Sequence, residues 1–117
     1  MNPSTPIAEE IRPDESLFAS AAVMARHIRN REISVVEIVE RHLARIDEVN
    51  PLLNAVITRC DEAALQAARK ADIAVAGTNA VGPLHGVPFT IKDGFDTAGV
   101  RTTAATEGWA QRVPRIN

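Results

Sequence analysis

The tetrapeptide Ser34-Val35-Val36-Glu37 constrains the chain more than any other local feature. A hydroxyl residue followed three positions later by glutamate is a capping box, in which each side chain satisfies an otherwise exposed backbone donor at the start of a helix. Val36, Val39, Leu43 and Ile46 follow at three- and four-residue steps, so the helix opened here buries one stripe. Glu37 and Arg41 stand one turn apart and can pair, and Asn50-Pro51 is the expected stop. Upstream, Leu17, Ala21, Met24, Ala25 and Ile28 repeat the spacing over residues 16–30, with Ser16 as the expected N-cap. Arg26, Arg29 and Arg31 fall near the C-terminal end of that segment, where positive charge is favoured by the helix dipole. Two such segments in succession predict a helical hairpin.

Beyond the hairpin the pattern changes. Asn54-Ala55-Val56-Ile57-Thr58 is a short run rich in branched side chains and predicts a buried strand. Residues 61–76 are dominated by alanine, the strongest helix former, and predict a third helix with a thin apolar face, broken at Gly77-Thr78-Asn79. Two glycines and two prolines in Val81-Gly82-Pro83-Leu84-His85-Gly86-Val87-Pro88 fix an irregular loop. Phe89-Thr90-Ile91-Lys92 then predicts a second buried strand, ending in the turn chemistry of Asp93-Gly94. The expected fold class is α/β: a helical hairpin plus edge strands of a larger mixed sheet. Residues 1–15, with Pro3, Pro6 and Pro13, read as an extended lead-in. Residues 16–117 read as a single unit, since 117 residues hold one domain at most.

Composition narrows the function classes. Thirteen basic residues against fifteen acidic ones give a net charge of -2, which supplies no electrostatic case for nucleic acid. Three Phe, one Trp and no Tyr make no base-stacking platform. No apolar run approaches the roughly 20 residues that span a bilayer, and Glu9 and Glu10 sit where an export signal would be apolar. The expected location is the cytoplasm. Cys60, the single cysteine, offers neither a disulfide nor a metal pair and reads as a small buried apolar residue. His27 and His42 lack metal-ligand spacing and read as surface or boundary residues. His85 reads as a loop-packing residue, and Trp109 as an anchor for the last loop.

The densest block is Gly82-Pro83-Leu84-His85-Gly86-Val87-Pro88-Phe89-Thr90-Ile91-Lys92-Asp93, continuing through Phe95-Asp96-Thr97-Ala98-Gly99-Val100-Arg101-Thr102-Thr103. It resembles the opening of the amidase signature family, serine hydrolases that cleave carboxylic amides. The run from Arg45-Ile46-Asp47 to Asn50-Pro51-Leu52-Leu53-Asn54-Ala55 and the alanine-rich helix resemble that family too. The resemblance implies a Ser-cisSer-Lys triad in which Lys92 takes the lysine's place. A lysine serves as a base only when neutral, and burial favours the neutral form. In the family this lysine takes a proton from a bridging serine, which activates the nucleophilic serine; an oxyanion hole and an acyl-enzyme complete the cycle. No cofactor and no metal are called for. Asp93 reads as holding the local turn.

The sequence departs from the family in two ways. It has no serine after Ser34, so neither triad serine nor their glycine-rich loop is in it. Ala105 stands where the family usually has a glycine, and a positive φ there would be strained. Three readings follow. One is a hydrolase of small-molecule carboxylic amides, of which this chain is the opening part and inactive alone. A second is the glutaminase subunit of the tRNA-dependent amidotransferase. The third is a non-catalytic interaction module whose partner is the remainder of a split amidase.

Overall fold

A computed structural model describes residues 15–77 and 80–117, so the lead-in expected over 1–15 lies outside the described residues except for Glu15. Ser20, not Ser16, caps the first helix, α1 (Ala21–Arg29), accepting from the Val23 amide at 3.3 Å. The start moves because Glu15–Leu17 forms a separate 3-10 turn, and the buried Ser16 hydroxyl accepts instead from Arg41 Nη1 at 2.9 Å. Met24, Ala25 and Ile28 of the expected stripe are buried; Leu17 is half-buried and Ala21 exposed. At the other end, the Glu32 amide donates to the His27 carbonyl and the Arg31 amide to that of Ile28, both at 3.0 Å. That is a Schellman closure, with Arg31 (φ 58°) where a glycine is usual. Arg31 Nη2 also donates to the Ala76 carbonyl at 2.8 Å, tying this corner to the end of the third helix.

The capping box forms as read. The Glu37 amide donates to Ser34 Oγ at 3.0 Å and the Ser34 amide to Glu37 Oε2 at 2.9 Å, opening α2 (Val35–Leu53). The two remaining orphan amides, those of Val35 and Val36, donate to the two carboxylate oxygens of Asp72 at 2.7 and 3.1 Å. All four amides of the first turn are thereby satisfied. The helix passes through Asn50-Pro51, the expected stop, and ends at Leu53, with Asn54 in the left-handed region (φ 47°). A proline this near the end forfeits one intrahelical hydrogen bond and leaves the rest of the helix intact. α3 (Asp61–Ala76) matches its expected span. Its start is held by Arg59, which donates to both carboxylate oxygens of Asp61 at 3.0 and 2.6 Å and reaches across to Asp47 on α2.

Met24, Ile28, Val35, Ile38, Val39 and Ala68 form the core, with Leu43, Ala64, Leu65, Ala71, Val75 and Val87 packed against it. The more extensive helix pairing is α2 with α3, rather than the first two helices as expected. Their 19 and 16 residues share a longer seam than the nine of α1 can offer. Small side chains at Ala64, Ala68 and Ala71 let that seam close.

The expected α/β sheet is not formed: among the described residues there is no strand. In the first strand segment, the Val56 amide and carbonyl are both taken by the Asn50 side chain, at 2.9 and 3.0 Å, leaving no ladder to build. In the second, residues 89–92 leave the core, and Phe89 is 80% exposed. Cys60 is exposed rather than buried, because it sits at the solvent-facing start of α3. The radius of gyration is 17.4 Å, against about 13 Å for a compact domain of roughly 100 residues. A helical head carries a long, loosely covered arm.

Candidate active-site segment

The loop leading to Lys92 is fastened to all three helices. Arg29 Nη1 on α1 donates to the Pro83 carbonyl at 2.7 Å, and His85 Nε2 donates to the Ala71 carbonyl of α3 at 2.9 Å. His85 thus packs the loop, as read. At Gly86 (φ +80°) a Cβ would stand 2.5 Å from Val35 Cγ2 and 3.2 Å from Ile28 Cδ1, so only glycine lets the backbone lie on the core. Val87 follows into the same contact. Beyond Pro88 the chain swings outward: Phe89, Thr90, Ile91 and Lys92 are exposed, and none of their amides donates within the described residues. Lys92 therefore lacks the desolvated strand setting expected for it, because no neighbouring strand covers residues 89–92.

The next residue is held firmly. Asp93 Oδ1 accepts from the Thr103 amide at 2.9 Å, its Oδ2 accepts from the Thr103 hydroxyl, and its carbonyl accepts from the Ala104 amide at 3.1 Å. Thr102 and Thr103 are buried. The Thr103 hydroxyl first, and its amide second, hold the Asp93 carboxyl below the usual carboxylate range. Ala104 (φ 48°) and Ala105 (φ 55°) are both left-handed, and the Thr106 amide donates to the Thr103 carbonyl at 2.9 Å. This is a type I′ turn, for which Asn-Gly is the usual sequence. Two alanines in it store about 1–2 kcal/mol each. The strain expected at Ala105 is thus shared by Ala104.

The rest of the arm closes on itself. Arg112 clamps both carboxylate oxygens of Asp96, its guanidinium keeping that carboxyl low, and lies 4.7 Å above the Trp109 ring. Trp109 is exposed and pairs with Arg112 instead of anchoring the loop on the core. The Thr102 amide donates to the Arg112 carbonyl at 3.0 Å and the Gly99 amide to that of Pro114 at 2.9 Å.

Of the other histidines, His42 is half-buried and donates through Nδ1 to the Ile38 carbonyl at 2.8 Å. His27 is buried, 8% exposed, rather than at the surface: Nδ1 lies against the Glu32 carboxylate inside the α1 corner. Among the described residues, no group of three or more His, Cys, Asp or Glu could hold a metal ion, and no helix is long and apolar enough to cross a membrane. Two residues that matter were not singled out from the sequence: Asp72 and Thr103. Asp72 had a signal, an acid placed between Ala68, Ala71 and Val75 on the apolar face of α3.

A family model described as Amidase matches residues 37–117, a span that takes in α2 from Glu37 onward, α3, the fastened loop, Lys92 and the Thr103 turn. The chain belongs to the amidase family. Among its curated relatives, a protein of Cutibacterium acnes named as a subunit of glutamyl-tRNA(Gln) amidotransferase is 40% identical over 99 residues, covering 82% of this chain and 20% of the relative. Proteins of the same name from Nocardia farcinica and Alkalilimnicola ehrlichii are 46% and 48% identical, over 77% and 74% of this chain and 19% and 18% of theirs. The chain spans about a fifth of the length of these relatives.

Proposed function

We propose that residues 16–117 supply the lysine-bearing part of an amidase-family active site that hydrolyses carboxylic amides, with Lys92 as its base. The observation that carries this is the family match across the fastened loop and Lys92. In this reading neutral Lys92 accepts a proton from a bridging serine, which takes one from the nucleophilic serine as that oxygen attacks the amide carbonyl. The tetrahedral intermediate expels ammonia or an amine with a returned proton, and water then cleaves the acyl-enzyme. The last serine of the sequence, Ser34, is committed to capping α2, so both serines come from elsewhere and the chain alone does not turn over. The surface that brings them lodges on the exposed Phe89 and Ile91, where burying each side chain is worth about 2 kcal/mol. Removing water from an ammonium group favours its neutral form. The reaction takes place in the cytoplasm on a small-molecule amide, without nucleic acid, metal or cofactor at this site.

The relatives' shared name favours a second reading, the glutaminase subunit of the tRNA-dependent amidotransferase. There glutamine is the amide, and a partner protein receives the ammonia. The test mixes the purified chain with a polypeptide carrying the uncovered four-fifths of the Cutibacterium acnes relative, and assays ammonia release from glutamine and from simple carboxamides. Turnover that needs the chain and falls about 10²–10⁴-fold with Lys92→Ala supports the base. Retained turnover in that variant overturns it. Activity on glutamine alone selects the second reading. Tight association without turnover of any amide replaces both with the interaction module.

A further inference from the structure

We infer that Asp93 is a positioning residue, clamping the buried Thr103 so that the Lys92 arm leaves the backbone in one fixed direction; the inference rests on the reading of Lys92 as the base. Residues 89–92 lie in no helix or strand and none of their amides donates within the described residues, so no ladder before Lys92 fixes its direction. What fixes it comes after. Three acceptors of Asp93, both carboxylate oxygens and the carbonyl, take three donors of Thr103 and Ala104. Asp93 and Gly94 are the central residues of the turn that opens at Lys92, so a clamp on the Asp93 carboxylate and carbonyl fixes the turn from which the lysine departs. Lys92 is exposed beside a half-buried Asp93.

Two further features complete the device. The Phe95 amide donates to the Lys92 carbonyl at 3.0 Å, fixing the peptide after the lysine. Lys92 Cε lies 4.0 Å from where a Cβ on Gly94 would stand, so the stem runs back over the turn. The strained turn of Ala104 and Ala105 persists only where its surroundings over-determine it, and Asp93 is the group that reaches its first residue.

The experiment compares Asp93→Asn, Thr103→Val and Thr103→Ser in the whole chain with two readouts. One is the backbone three-bond HN–Hα coupling of Lys92 by NMR. The other is turnover of the pair completed with the serine-bearing polypeptide. The expected result is that Asp93→Asn and Thr103→Val bring the Lys92 coupling to a rotationally averaged value and lower kcat about tenfold or more with KM unchanged. Thr103→Ser, which keeps both donors, restores both readouts. A Lys92 coupling that stays put in folded Asp93→Asn and Thr103→Val overturns the inference, as does an unchanged kcat in both. Should Asp93→Asn fail to fold, Thr103→Val decides alone. Failure of the base reading looks different, because Lys92→Ala then turns over normally while the coupling still reports the clamp.

Discussion

Two positions in this chain stand on opposite sides of the ordinary use of glycine. Gly86 is glycine because a Cβ has no room against Val35. Ala105 is alanine in a turn whose left-handed φ of 55° favours glycine. Substituting Ala105→Gly removes about 1–2 kcal/mol of strain and adds back somewhat less as unfolded-chain entropy. The expected net gain is about 0.5–1 kcal/mol, read as a raised midpoint in urea unfolding followed by circular dichroism. A lowered midpoint would show that the turn is not left-handed in solution. At Arg31 (φ 58°) the same substitution would also remove the hydrogen bond to the Ala76 carbonyl, so relief of strain and loss of a tie oppose each other there.

The helices show how one element depends on another. α2 begins with its own capping box, but Val35 and Val36 are satisfied only by Asp72, 37 and 36 positions away on α3. Asp72→Ala leaves both amides at the edge of the core without their acceptor, at a cost of about 1–2 kcal/mol. Asp72→Asn keeps one acceptor oxygen and should lose about half of that. Amide hydrogen exchange at Val35 and Val36 checks both, with unchanged protection in Asp72→Ala counting against the cap. The contrast shows what local sequence can carry. The box at Ser34 and Glu37 and the alanine run of α3 depend on residues within one turn, so they are legible and the structure has them. Ser16 and the strands at 54–58 and 89–92 depend on distant partners. Arg41 draws Ser16 out of the cap role, Asn50 occupies Val56, and nothing described pairs with 89–92. The candidate site divides in the same way. Lys92 stood out through its surrounding string, whereas Thr103 had no local mark, since its partner lies ten residues away.

Over the whole molecule the carboxylates that hold parts together are spread along the chain, and acid should loosen them together. Asn30 and then His27 hold Glu32 below the usual carboxylate range, and the Ser34 amide does the same for Glu37. Farther along, Thr103 lowers Asp93 and Arg112 lowers Asp96. Each carboxyl is more acidic folded than unfolded, so its contribution is present above the unfolded value of about 4 and is lost as pH falls through the lower folded value. These groups lie near water, where each such interaction is weak, so the expected profile is gradual. The urea midpoint should hold level from about pH 7 to 5 and decline below about pH 4. Added salt at neutral pH should shave the Asp96 and Arg112 share more than that of Asp93, whose partners are a neutral hydroxyl and an amide. A midpoint unchanged down to about pH 3 would mean that these carboxylates are equally well placed in the unfolded chain, and that the turns they close are not held by them.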